Sequence, residues 1–226
     1  MMSLGMLFKR QMAREVRLHA RQTRLIINSC LFFLMVMIFF PLSMPPDKAL
    51  LRALAPGLVW IAMLLALFLS SDRLFQPDYD DGVIEQWLVS GYPMSVFVSV
   101  KIMVHWWFHL VPMLMLCPLL AIFLNLNGYE TGIMMLSLVC GTPAILCLCA
   151  LSAVFGVGVR EKGALMALVL LPLTVPVMIF GSGTVTAAMQ GFPVSGYLSL
   201  LGALSLLATA LLPLAVAGVI RVSLVD

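Results

Sequence analysis

Charge is what this chain has least of. Only 10% of its 226 residues are charged, against 62% hydrophobic, and the mean hydropathy is +1.10. A soluble domain of this length needs far more charge to cover its surface, so the composition places the chain among polytopic membrane proteins. No P-loop G-x-x-x-x-G-K-[ST] occurs, which excludes ATP binding by that route. G-x-S-x-G and H-E-x-x-H are absent too, so no hydrolase elbow or zincin helix is present. The five cysteines (Cys30, Cys117, Cys140, Cys147 and Cys149) all fall inside apolar runs, with no C-x-x-C or C-x-x-C-H. In such runs Cys behaves as a small hydrophobe, and disulfide, covalent-haem and zinc readings gain no support. No metal site is expected. No acidic residue lies deep in an apolar run, which argues against a proton- or sodium-coupled carrier and against a conventional ion channel. Energy for transport would then come from a partner.

What is there is six apolar runs, about 25–44, 50–71, 95–124, 130–158, 163–185 and 197–220. Each is long enough to cross a hydrocarbon core of about 30 Å at 1.5 Å per residue. The pattern predicts an all-α integral membrane protein, one membrane domain over residues 1–226. Pro112, Pro118, Pro143, Pro172 and Pro176 sit inside these runs and predict kinks. The basic region before the first run is too long, and the PLSMPP after it too unlike a small-x-small site, for a cleaved signal peptide. The first span is expected to be retained.

Orientation follows from Lys and Arg. With a cytosolic N-terminus, Lys9, Arg10, Arg14, Arg17, Arg21, Arg24, Arg73, Lys101, Arg160, Lys162 and Arg221 lie inside, and only Lys48 and Arg52 outside. Both termini are therefore expected in the cytosol. The same count assigns the basic N-terminal run to topology and not to nucleic acid. Arg10, Arg14, Arg17, Arg21 and Arg24 recur every three or four residues on one helical face, with Leu4, Phe8, Met12 and Val16 opposite. That predicts an amphipathic helix on the inner membrane surface, either a basic anchor on anionic lipid or an elbow that transmits motion into the first span.

The main polar island is Asp72 to Pro93, DRLFQPDYDDGVIEQWLVSGYP, with five of the ten acidic residues. Burying its six charges at the bilayer centre would cost roughly 15 kcal/mol, so it must lie in the cytosol. Asp78, Asp80 and Asp81 read as a turn leading to a helix N-terminus. Gly82 to Ser90 then sets Val83, Trp87 and Ser90 on one face, with Ile84 and Leu88 beside them. Such a short helix with an apolar side suits a groove on a soluble partner, while a surface helix resting on the bilayer is the alternative. His105 and His109, four apart in KIMVHWWFHL, share a face of the third run and could bracket a metal or haem iron. Without a carboxylate or thiol beside them, packing histidines in an interfacial belt with Trp106 and Trp107 are the preferred reading. Glu130 and Lys101, at span ends, are expected to snorkel to the interface. On the outer side, the small, uncharged stretch Gly181 to Gly196 fits a short re-entrant or interfacial helix and a loop equally well.

These residues resemble the haem exporter protein B (CcmB) family, the permease subunit of the cytochrome c maturation ABC complex. The family pattern, roughly Arg-Leu-Phe, an acid-Gly pair, Glu-Gln and Pro, is matched by Arg73, Leu74, Phe75, Asp81, Gly82, Glu85, Gln86 and Pro93. FFPLS (Phe39 to Ser43), Ala55 to Gly57 with Trp60, KIMVHW (Lys101 to Trp106), Gly141 to Pro143 and Leu171 to Gly181 match as well, so the resemblance spans nearly the whole chain. It implies an ABC-2-type exporter permease of the bacterial inner membrane, itself non-catalytic, pairing as a homodimer with an ATPase subunit that binds the ATP. A haem-handling membrane subunit and a periplasmic haem chaperone would be further partners, and haem the cargo. On this resemblance Arg73, Asp81, Gly82, Glu85, Gln86 and Trp87 would couple to the ATPase, and Arg10, Arg14, Arg17 and Arg21 would form the interfacial helix. His105 falls in the family pattern and stays open between haem and packing, whereas His109 departs from it. The partner subunit's tryptophan-rich haem signature is absent, since no acid follows Trp106-Trp107, so no bound cofactor is expected. A permease for another lipid or glycan, and a membrane-embedded enzyme, are the competing readings.

Overall fold

The computed structural model describes residues 4–45, 47–156 and 162–225, with side chains omitted for 162–171 and 223–225. The described residues form nine helices: α1 Leu4–Arg21, α2 Thr23–Leu42, α3 Lys48–Ser71, α4 Gln76–Asp80, α5 Val83–Val89, α6 Met94–Phe123, α7 Gly128–Phe155, α8 Lys162–Met189 and α9 Ser195–Val225. Six of them, α2, α3, α6, α7, α8 and α9, are long and apolar enough to cross a membrane. The chain is an all-α, multi-pass membrane protein. The inter-span loop with Arg160, used to read orientation, lies outside the described residues, as does the Lys162 side chain.

Helix ends follow local chemistry. Asp47 caps α3 by accepting from the Ala49 amide at 2.8 Å. Asn127 and Glu130 form a capping box at the start of α7. Between α1 and α2 the helix breaks for one residue, Gln22, at φ −95° and ψ 38°. Prolines at 41, 56, 112, 118, 143, 172, 176 and 213 all lie within helices, where neighbouring spans can satisfy the carbonyls they free.

At the centre is α7, in contact with α3, α6, α8 and α9, while α2 packs on α3 and α6 at the periphery and α1 lies along α6. Small residues admit the largest core side chain. Trp60 of α3 is fully buried, and a Cβ added at Gly141 of α7 or Gly181 of α8 would overlap its indole ring. This explains a departure from expectation. The Gly181 to Gly196 stretch is neither re-entrant helix nor loop through most of its length, because α8 continues unbroken to Met189 and only residues 190–194 connect it to α9. Its glycines serve packing: Gly181 faces Trp60, and a Cβ at Gly183 would stand 3.1 Å from Tyr197 of α9.

The polar island does not stand free of the bundle. Leu74, Phe75 and Ile84 are buried in the main core, with Trp87 and Leu88 partly buried against it. The Trp87 ring lies 5.4 Å from that of Phe97. Most of the apolar side of α5 is thus spent on its own chain and is not offered to a groove elsewhere. Gly82, at φ +69°, makes the turn from α4 to α5 in a conformation that side-chain-bearing residues rarely adopt.

Gly141→Ala and Gly181→Ala are each expected to destabilise the chain by about 1–3 kcal/mol through overpacking. Gly57→Ala, where an added Cβ meets nothing within 4 Å, is expected to leave stability unchanged or raise it by roughly 0.5–1 kcal/mol. Thermal unfolding of the three variants in detergent checks the contrast.

Candidate functional site

Residues Leu7, Gln11, Glu15 and His19 of α1 fall on one line four residues apart, and this line is the buried one. The apolar line expected to rest on the membrane is not packed on the protein: Leu4 is 63% exposed and Val16 39%. Charge complementarity decides the outcome, because α6 presents a buried ammonium that an apolar face could not satisfy. The Lys101 Nζ lies 3.4 Å from Glu15 Oε2 and also donates to Asp78 Oδ2 of α4. Arg14 completes the cluster, 3.3 Å from Glu15 Oε1 and 3.3 Å from Asp78 Oδ1. Gln11 donates to Glu15 at 2.9 Å. Two cations and two carboxylates thus close a network between three segments, buried except at Arg14. Lys101 is paired inside the protein instead of snorkelling, Asp78 in the first turn of α4 is buried against it, and Arg14 of the basic stripe is turned to both carboxylates.

From this cluster runs a line of all three histidines in the sequence. His19 Nδ1 donates to the Glu15 carbonyl at 3.1 Å, which leaves its Nε2 as acceptor for His105 Nδ1 at 3.3 Å. His105 Nε2 in turn meets the Ser70 hydroxyl at 3.0 Å. With neutral rings the His105 and His19 N–H groups each have an acceptor, both pointing towards Glu15, while the Ser70 hydroxyl also donates to the Leu67 carbonyl at 2.9 Å. His109 stacks on His105, ring centroids 3.9 Å apart, and donates from Nδ1 to the His105 carbonyl at 3.0 Å. The two histidines of α6 therefore lie where α1, α3 and α6 meet, His105 bonded to His19 and Ser70 and His109 stacked on His105. Among the described residues no group of three His, Cys, Asp or Glu side chains could hold a metal ion. Trp106 donates to Thr142 Oγ1 at 2.9 Å and is tied to α7, while Trp107 is exposed.

Burial pushes the Glu15 carboxyl up from its ordinary range, although the Lys101 and Arg14 cations oppose this. Burial and then the Lys101 ammonium push His19 down to about 4. Beside the network a cavity of about 610 Å³ opens, bounded by Arg14, Leu25, Asn28, Ser70, Arg73 and His105 among others.

Around α4 and α5 the island divides by exposure. Arg73, Asp80, Asp81, Glu85, Gln86 and Val89 face outward, Val89 at 88% exposure, while Gly82 and Trp87 are half-buried. On α1, Arg17 and Arg21 are exposed as well. At the far end of the bundle Glu130 is also buried. It accepts from Arg52 Nη2 at 2.6 Å while completing its own helix cap through the Asn127 amide at 2.9 Å. Like Lys101, it is paired inside the protein instead of reaching for the interface.

The sequence model of the family described as CcmB protein matches residues 6–223. The chain belongs to the CcmB family. Relatives bearing the name heme exporter protein B include that of Pseudomonas aeruginosa, 41% identical over 216 residues, covering 96% of this chain and 97% of the relative. The Haemophilus influenzae protein is 37% identical over 219 residues, 97% of this chain and 99% of its own length. The Escherichia coli K12 protein is 39% identical over 219 residues, 97% and 100%.

The structure of this CcmB-family chain brings together residues that sequence reasoning kept apart. Glu15 was legible only as a lone acid among arginines, and His19 carried no motif. A signal did exist: Gln11, Glu15 and His19 share a four-residue spacing, and Lys101 stands alone in an apolar run that needs a buried counter-charge.

The depressed His19 fixes a sign. Undocked, His19 takes up a proton near its ordinary value of 6.5; docked, it does so only near 4. The docked state binds fewer protons in that window, so docking strengthens as pH rises through it and weakens as pH falls. Glu15, shifted the opposite way, contributes docking that is lost as pH rises above the carboxylate range. Between pH 7.5 and 5.0 the His19 contribution amounts to about 1–2 kcal/mol. Amide hydrogen exchange of α1, corrected for intrinsic rates, is expected to lose protection on acidification in the native chain and to lose markedly less in His19→Gln.

Proposed function

We propose that this chain is the membrane permease subunit of an ABC-type complex of cytochrome c maturation in the bacterial inner membrane. It couples ATP hydrolysis by a separate subunit to haem export or to release of a haem-loaded chaperone outside. What supports this reading is its kinship to proteins named heme exporter protein B along nearly the whole of their length, together with a P-loop-free sequence whose polar island is folded back on the bundle. The ATPase subunit docks on the outward side of α4 and α5, where Arg73, Asp81, Glu85 and Gln86 are exposed. Gly82 sets the angle between the two helices, and Trp87 holds α5 on Phe97 so that a push on the surface reaches the spans.

Orientation follows the positive-inside bias, with both termini, α1, α4 and α5 in the cytosol. Arg10, Arg17 and Arg21 set α1 at the anionic inner leaflet, while Arg14 turns inward to Asp78. The chain works as a non-catalytic homodimer beside a haem-handling membrane subunit and the periplasmic chaperone. ATP belongs to the ATPase, and haem is cargo. His105 serves packing in this reading, since both of its ring nitrogens are engaged by His19 and Ser70.

Because Trp87 is also a packing residue, the docking surface is best probed at exposed positions. Arg73→Glu and the double variant Glu85→Lys with Gln86→Ala are expected to lower ATPase co-purification in mild detergent at least tenfold. c-type cytochrome assembly should fall with it, while the thermal stability of the chain is unchanged. Undiminished co-purification and assembly in both variants would sink the docking assignment.

A further inference from the structure

The network of Arg14, Glu15, Asp78 and Lys101 joins three segments that do different things. α1 is an interfacial helix, α4 belongs to the polar island, and α6 is a span. What holds each of them to the others differs. The island has an apolar anchorage of its own in Leu74, Phe75 and Ile84. The buried line of α1, by contrast, has one apolar residue, Leu7, and three polar ones. Its attachment to α6 therefore rests on Glu15 at Lys101 and on His19 at His105. Asp78 and Glu15 meet at the same ammonium. A displacement of α4 that draws Asp78 away, or presses it closer, changes the field in which Glu15 sits, because the two carboxylates repel each other once Lys101 no longer stands between them. The 610 Å³ cavity beside the cluster leaves space for such a shift. From α1 the connection to α2 is a single non-helical residue, Gln22, still hydrogen-bonded to the His19 carbonyl at 3.0 Å. Any tilt of α1 is handed to the first span.

We propose that Lys101 is a positioning residue that transmits movement of the α4–α5 island to α1, and through Gln22 to α2, by holding Asp78 and Glu15 on one ammonium. This rests on the reading of the island as the ATPase docking surface. The energy-driven stroke then reaches the peripheral span α2 by an electrostatic route separate from the apolar contacts that couple the island directly to α6.

The test uses the intact complex and hydrogen exchange with and without a non-hydrolysable ATP analogue. In the native complex the analogue is expected to change exchange in both the island and α1. Glu15→Gln keeps the shape of the side chain and the Asp78–Lys101 pair but removes the charge through which α1 feels the movement of Asp78 and Lys101. It is expected to keep the ATPase bound and the island responsive, abolish the α1 response, and lower c-type cytochrome assembly at least tenfold. Lys101→Met is expected to do the same, and Lys101→Arg to restore at least half of both the α1 response and assembly. An α1 response that persists in Glu15→Gln and Lys101→Met overturns the proposal, as does an α1 that ignores nucleotide in the native complex. So does a Lys101→Arg variant no better than Lys101→Met, which would mark the lysine as merely structural. Absence of a co-purifying ATPase from the native complex would instead remove the docking reading on which this rests, and the proposal with it.

Discussion

An ammonium placed at 6% exposure inside an apolar helix is the constraint from which the rest of one end of this molecule follows. Unpaired, Lys101 would carry a penalty of several kcal/mol, and one carboxylate leaves donor capacity over. Two carboxylates satisfy it, but they bring their own mutual repulsion, and Arg14 offsets that by reaching both. Each step forces the next. The need for Glu15 turns α1 so that its polar line faces the bundle. The need for Asp78 draws α4 in against the membrane helices, and the buried Leu74 and Phe75 before it keep the chain from leaving. His19 follows because it sits one turn after Glu15, and burial, then the nearby Lys101, keep it neutral, which is the state its hydrogen bonds to the Glu15 carbonyl and His105 require.

Much of the fold was legible because membrane spans announce themselves by length and apolarity. The predicted first span, 25–44, became Thr23–Leu42, and the third, 95–124, became Met94–Phe123. The fifth, 163–185, ends before α8 does at Met189, because the small, uncharged residues from Gly181 onward fit a loop as well as a helix. In water that inference is sound. Inside a bundle the same residues mark where another side chain comes closest, and here that neighbour is the fully buried Trp60.

The site was legible in part, and the missing part has a single physical cause. Reading α1 by hydrophobic periodicity selects the line Leu4, Phe8, Met12 and Val16, which is the correct face for a helix whose only neighbour is lipid. Once a second apolar helix lies alongside, hydrophobicity no longer discriminates between faces, because lipid and protein offer equally apolar contact. Specific polar pairing then chooses the buried face. Pairing depends on partners in α4 and α6, far along the chain, and no window on α1 contains them. The island was easier: its exposed residues, Arg73, Asp81, Glu85 and Gln86, are ones a sequence pattern also singles out, since a polar surface there has no competing neighbour to hide it.

The two buried ion pairs differ in a way that assigns different mechanical roles to the ends of the bundle. The Glu130 carboxylate is held two ways by its own helix start, through the Asn127 amide and the Asn127 side chain, before Arg52 adds a third contact. Withdraw Arg52 and the carboxylate remains satisfied locally, so this end can stay rigid whatever α3 does. The local partners of Glu15 are less exclusive, because Arg14 is itself shared with Asp78 of α4. Apart from Gln11 and Arg14 on its own helix, its charge is answered by Lys101 on α6 alone, and Lys101 is shared with Asp78. A network whose members come from three separately anchored segments changes when any one of them moves. The fixed end and the responsive end are therefore distinguished by where the hydrogen-bond partners reside in sequence, and the responsive one is the end that carries the polar island.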